Sequence, residues 1–300
     1  MSSPVLRRID VGDVSIAVHE WGGDARGSHD PILLAHATGF HARCWDRVIA
    51  HLGDRRVFAV DLRGHGQSGK QPPENGWQTY GRDLARVVAA LDLERVVGVG
   101  HSMGGHAMVG AAALEPKRFR RLTLIDPVIV APEDYAANGG ARGWPLDFEH
   151  PTARRRNRWA APGEMIARFR TRLPYSAFAP EVLEDYCRYG LSRAPDGRGY
   201  VLACPPAFEA NIYMTARQND GVYAQIAAID IPVFVIRAMV APSDRDLMDF
   251  RYSPTWPGLA ACFPHGRELH LAERTHFLPM EDPALAARLI LEDERSAAQP

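Results

Sequence analysis

Cysteine is scarce in this 300-residue sequence and scattered where it occurs. Cys44, Cys187, Cys204 and Cys262 form no C-x-x-C pair and have no histidine at metal-ligand spacing, so they read as free thiols in a reducing cytosol, and no metal or other cofactor is expected. A long apolar run is also missing, which argues against a membrane span. The start, MSSPVLRRIDVGDVSIAV, lacks a basic tract followed by an apolar stretch, so no signal peptide is predicted. Nor is there a charge surplus. Lys plus Arg (35) nearly balance Asp plus Glu (36), a net charge of -1, and nothing points to nucleic acid or an acidic membrane surface as partner. What remains is 46% hydrophobic and 24% charged, ordinary for a globular protein. The sequence therefore predicts a cytoplasmic protein with a small-molecule partner, and a homodimer is neither required nor excluded.

Along the chain, short apolar strands alternate with helices. Strands are predicted at 5–9 and 14–20, joined by the turn signal Gly12-Asp13, then at 31–35, 57–60, 96–99 and 122–125. A helical stretch is expected around Trp45–Leu52. Another over 79–91 has Tyr80, Leu84, Val87, Val88 and Leu91 on one face and Arg82, Asp83 and Arg86 away from it. After Pro127 the rhythm breaks, with helical patches at 162–172, 180–190 and 205–217. It resumes with strands at 232–236 and 268–271 and a last helix over 283–293. Fully apolar strands interleaved with helices imply a mostly parallel sheet covered on both faces.

The stretch RVVGVGHSMGGHAMVGAAA, residues 95–113, carries the chemistry. Gly100-His101-Ser102-Met103-Gly104 is G-x-S-x-G between a predicted strand and a small-residue helix. A serine at so tight a turn needs glycines two residues either side so that strand and helix can close around it. Its Oγ then projects above the sheet, with the Met103 N–H and the helix N-terminus aimed at charge that develops there. Gly98-x-Gly100-x-x-x-Gly104 is not a dinucleotide fingerprint, because the spacing differs from G-x-G-x-x-G and the stretch lies late in the chain.

Taken in order, HATGF (36–40), DLRGHGQS (61–68), GHSMGG (100–105), LIDP (124–127) and THFLPMEDP (275–283) resemble the α/β-hydrolase superfamily. The resemblance implies an α/β fold with a sheet of about eight mostly parallel strands and a cap inserted after the sixth. It divides the chain into a core of residues 1–127 and 229–300 and a helical cap of 128–228. It also implies a nucleophile at Ser102, a base at His276, and oxyanion donors at the Met103 and Thr38 N–H groups, with the Thr38 hydroxyl as a further donor. His36, His65 and His101 read as loop-orienting residues. The acid departs from the common pattern. Where many members place an aspartate after the seventh strand, this chain has Val240-Ala241-Pro242, followed by Asp244, Asp246 and Asp249. Asp126, at the end of the sixth strand, is ranked first, Asp244 second and Asp249 third; the order Ser, Asp, His holds with any of them.

A serine nucleophile disfavours epoxide hydrolysis and dehalogenation, which work through aspartate. The leading expectation is hydrolysis of a small apolar carboxylic ester or lactone through an acyl-enzyme. Carbon–carbon bond hydrolysis of a ring-cleavage product and ligand sensing with a retained triad stand behind it. Trp144, Trp159, Phe169, Tyr175, Phe178 and Tyr186, with Tyr189, Phe208 and Tyr213, make the predicted cap aromatic. They are expected chiefly to hold the cap's own core, some packing on Phe40 and Phe277 around an apolar cavity. The run Arg154-Arg155-Arg156-Asn157-Arg158 reads as a solvated face, with a substrate carboxylate as the sharper alternative.

Overall fold

Strands that are apolar at every position, such as Val57-Phe58-Ala59-Val60, need cover on both faces, and the architecture provides it. A computed structural model describes residues 3–23, 29–136, 149–219, 221–244, 246 and 248–297. In chain order the strands are β1 (Val5–Asp10), β2 (Ser15–Trp21), β3 (Ile32–Ala35), β4 (Val57–Asp61), β5 (Val96–His101), β6 (Phe119–Ile125), β7 (Arg158–Trp159), β8 (Leu191–Arg193), β9 (Tyr200–Leu202), β10 (Val233–Arg237) and β11 (Gly266–His270). An eight-stranded sheet runs β1-β2-β4-β3-β5-β6-β10-β11. β2 pairs antiparallel with β1 and β4, and the other pairings are parallel.

The order places β4 and β5 on opposite sides of β3. The chain therefore leaves β3 and β5 in different directions, and their carboxyl ends border one crevice, the usual place for a ligand in such sheets. Along β3 the period of two divides the core. Leu33 and Ala35 pack with Phe58, Leu84 and Met108 on one face, while Ile32 and Leu34 pack with Trp45, Val99 and Ile290 on the other.

The segment between β6 and β10 is built differently. Helices Pro162–Phe169, Pro180–Tyr189 and Pro206–Thr215 each begin with proline in the first turn, where its missing N–H costs no hydrogen bond. The sequence showed no strand here, yet β7, β9 and β8 form a small antiparallel sheet. Strands of two or three residues are too short to display a period. A third apolar cluster joins Val182, Tyr186 and Phe178 of this segment to Phe40 and Phe277 from the loops beyond β3 and β11. Trp144 lies outside the described residues.

One reading of the helix Gln78–Ala90 is corrected. Asp83 is buried rather than turned away, because it pairs at 2.7 Å with the buried guanidinium of Arg63. A buried cation requires a counter-charge that hydrophobic periodicity does not reveal.

Candidate active site

Ser102 follows β5 with φ 57° and ψ −121°, a backbone conformation that is costly for a residue with a side chain. Its surroundings hold it there. The Ser102 N–H donates to Ile125 O (3.0 Å), and its carbonyl accepts from the N–H groups of Gly105 (3.0 Å) and Val128 (3.1 Å). The flanking glycines are obligatory for packing. A Cβ on Gly100 would fall 2.3 Å from Gly104 O, and one on Gly104 would fall 2.3 Å from Ala35 O.

The Ser102 hydroxyl lies 3.0 Å from His276 Nε2, and His276 Nδ1 lies 2.6 Å from Asp126 Oδ2. Asp126 also has positive φ (46°), directly after β6. Its other oxygen accepts from the Ser253 hydroxyl (2.5 Å), the Ala238 N–H (3.1 Å) and the Thr255 hydroxyl (3.2 Å). Burial pushes the Asp126 carboxyl up, but the hydrogen bond and charge of His276, with the Ser253 and Ala238 donors, outweigh it and hold the group below its ordinary value. With Nδ1–H donated to a carboxylate, Nε2 is free to accept the serine proton. The other aspartates lie elsewhere. Asp244 and Asp246 are exposed, Asp246 accepts from the Met248 N–H, and Asp249 pairs with Arg251 at 2.7 Å.

Thr38 is buried on the loop after β3, beside the elbow, with its hydroxyl 3.6 Å from Met103 Sδ. Neither the Thr38 nor the Met103 N–H donates to a backbone acceptor among the described residues. Two neutral histidines fix this loop. His65 Nε2 accepts from the Gly39 N–H (3.0 Å), and His36 Nε2 accepts from the Leu62 N–H (3.0 Å) while Nδ1–H donates to Ala37 O (2.7 Å). Burial brings His65 down to about 4, so its ring stays uncharged and able to accept. His101 donates from Nε2 to the carbonyl of His276 (2.7 Å), and burial holds it at about 3. The imidazole of His276 is thus held at its backbone as well as its ring.

Sequence reasoning missed Ser253 and Thr255, which hold Asp126 from 127 and 129 residues away. A Ser-Pro-Thr loop carries no local signal of such a role. Phe40 packs on Tyr186 (ring centroids 5.0 Å), Phe178 (6.0 Å) and Phe277 (6.0 Å), while the cavity beside Phe40 is lined by Arg155 and Glu209 as well as apolar residues. Phe208, Tyr189 and Tyr213 go elsewhere, onto His65, Arg43 and His150 respectively.

A hydroxyl, an imidazole and a buried carboxylate in line, beside two backbone N–H groups without a backbone acceptor among the described residues, is an arrangement able to carry out nucleophilic attack on a carbonyl. The comparisons with known proteins agree in class. The chain belongs to the alpha/beta hydrolase family, whose model matches residues 32–289. It is 39% identical over 100 residues to an uncharacterised protein of Mycobacterium tuberculosis (33% of this chain, 29% of that one). It is 34% identical over 125 residues to 2-(acetamidomethylene)succinate hydrolase of Mesorhizobium japonicum (41% and 42%). To lipase LipV of Mycobacterium tuberculosis it is 36% identical over 101 residues (33% and 37%). The chain thus spans less than half the length of these curated relatives. Among solved structures, E-2-(acetamidomethylene)succinate hydrolase superposes with TM-score 0.73 at 20% identity, covering 96% of this chain and 98% of the other. The thioesterase domain from the curacin biosynthetic pathway superposes with TM-score 0.71 at 19% identity (97% and 100%). At that identity the superpositions establish the fold. No helix among the described residues is long and apolar enough to cross a membrane.

Proposed function

We propose that the protein is a serine hydrolase of small carboxylic esters or lactones, with residues 128–228 serving as a lid over the core formed by 1–127 and 229–300. Ser102 is the nucleophile, His276 the base, Asp126 the orienting acid, and the Thr38 and Met103 N–H groups the oxyanion donors. As Oγ attacks the carbonyl carbon, its proton passes to His276 Nε2, and the imidazolium formed is stabilised by Asp126. The carbonyl oxygen takes the negative charge between the two N–H donors. Collapse breaks the bond to the alcohol, which leaves with the proton from Nε2, and water then resolves the acyl-serine by the same steps.

The observation that carries the reading is the line from Ser102 Oγ through His276 to Asp126, at 3.0 and 2.6 Å. Relatives named as a lipase and as the hydrolase of a succinate derivative support hydrolysis of a carboxylic-acid derivative. The test is turnover of p-nitrophenyl acetate, butyrate and octanoate by wild type and Ser102→Ala. Ser102-dependent turnover is expected, with chain-length preference reporting how long an acyl chain the site accepts. Activity that persists in Ser102→Ala contradicts the assignment, and a single burst without turnover favours the ligand-sensing alternative.

A further inference from the structure

The arginines at 154–158 do not behave alike. Arg154 pairs with Glu149, Arg156 with Glu164 and Arg158 with Asp196, all at the surface. Arg155 turns inward. Its side chain is only 18% exposed, Nη1 donates to Glu209 Oε2 at 2.6 Å, and Nη2 donates to the Tyr186 hydroxyl at 3.3 Å. Glu209 is buried on the helix Pro206–Thr215 and presses against the loop after β3: a Cβ built on Gly39 falls 2.4 Å from its Oε1. Gly39 directly follows Thr38, a step of about 3.8 Å between Cα atoms. A small cavity opens here between Gly39, Phe40, Arg155, Tyr186, Cys204 and Glu209.

This placement asks more of the pair than holding two elements together. Two buried charges lose hydration that their attraction recovers only with good geometry, and apolar residues of similar volume would join the same elements without that loss. A bare carboxylate beside Gly39 would also oppose an oxyanion forming at Thr38. Arg155 neutralises it. A guanidinium has five N–H donors in a planar fork, more than Glu209 and Tyr186 engage, and a second carboxylate is the ligand that fork fits best.

We infer that Arg155 determines specificity by binding a carboxylate at the far end of the substrate's acyl chain, so that the preferred substrates are half-esters of short dicarboxylic acids. The inference rests on the serine-hydrolase reading. The aromatic wall around Phe40 takes the methylenes of the chain, and Arg155 takes its end.

The test compares kcat/KM for monomethyl glutarate and methyl hexanoate, esters of similar length that differ in the terminal carboxylate. Wild type is expected to favour the acidic ester tenfold or more. Arg155→Met/Glu209→Gln, which removes both charges together and leaves no unpaired buried carboxylate, is expected to lower that ratio at least tenfold. Calorimetry on Ser102→Ala reads the subsite without turnover, and tighter binding of monomethyl glutarate than of methyl hexanoate is expected, lost when the double substitution is added. A double variant that slows both esters equally assigns the pair a structural role and overturns the inference, as does wild-type preference for methyl hexanoate. Carboxylate binding that depends on Arg155 in a protein without Ser102-dependent turnover supports the subsite and instead contradicts the serine-hydrolase reading.

Discussion

Around Ser102 the candidate triad and its loops are held by named hydrogen-bond partners: His276 at ring and carbonyl, Asp126 by Ser253, Thr255 and Ala238, and the loop after β3 by His36 and His65. In the segment between β6 and β10 ring packing is prominent, as in the stack of Phe169 on Tyr175 at 4.2 Å, alongside ion pairs such as Arg155 with Glu209. That segment meets the rest of the molecule through apolar contact and a few polar ties, among them Ala179 N–H to Met280 O (2.9 Å), His41 to Tyr186 O (3.1 Å) and Arg47 to Asp185 (2.7 Å). The difference is one of tolerance. A hydrogen-bonded constellation fixes atoms to fractions of an ångström and allows few substitutions, whereas an aromatic wall accepts volume-conserving change and can be reshaped for another substrate.

Breaking the first region has the largest effect. Ser102→Ala is expected to reduce kcat by about 10⁶-fold with an unchanged circular dichroism spectrum, since the proposed nucleophile contributes to chemistry and not to packing. Next is Asp126→Asn, which leaves the shape but loses control of the His276 tautomer; kcat is expected to fall by roughly 10⁴-fold with KM little altered. Activity within a few-fold of wild type would remove Asp126 from the triad and return attention to Asp244 and Asp249.

Stability separates the two regions more finely. Gly104→Ala drives a Cβ to 2.3 Å from the Ala35 carbonyl and is expected to destabilise by about 1–3 kcal/mol in urea titration. Low pH should act on the same region. His65 and His106 are held at about 4 and His101 at about 3, below the 6.5 of an unfolded histidine, so the unfolded chain binds protons first as pH drops. The stability these groups supply is present above about pH 6.5 and lost on going down toward pH 4. The melting temperature should fall steeply over that window, and a flat profile would contradict neutral buried imidazoles. The smallest effect belongs to the other region. Gly163, in the first turn of Pro162–Phe169, has open space where a Cβ would point, with nothing within 4 Å, so Gly163→Ala is expected to leave stability within about 0.5 kcal/mol of wild type.

The same contrast governs what could be read from the amino acids alone. Strand ends carry their chemistry in short motifs, so G-x-S-x-G, HATGF and the histidine of THFLPM point to Ser102, Thr38, Met103 and His276 from sequence alone. Steric necessity makes the elbow legible, because only small residues allow it to close, whereas Thr38 and His276 are what the resemblance to the α/β-hydrolase superfamily implies. Asp126 is ranked rather than assigned, because a strand-end aspartate looks the same whether it meets an imidazole or loop backbone. Ser253, Thr255 and Glu209 are invisible for a different reason. Each acts across a long sequence separation, and no spacing rule links Arg155 to Glu209 or Ser253 to Asp126. The small sheet of β7, β9 and β8 escapes notice because its strands are shorter than one alternation needs.

The central claim is that Ser102 is made nucleophilic by His276 and Asp126. Its most direct test is labelling with a fluorophosphonate probe near neutral pH, followed by peptide mass spectrometry of wild type, Ser102→Ala and Asp126→Asn. One adduct per chain on the Ser102 peptide, absent in Ser102→Ala and strongly slowed in Asp126→Asn, is the expected result. Labelling at another residue, or equal rates in wild type and Asp126→Asn, would contradict it.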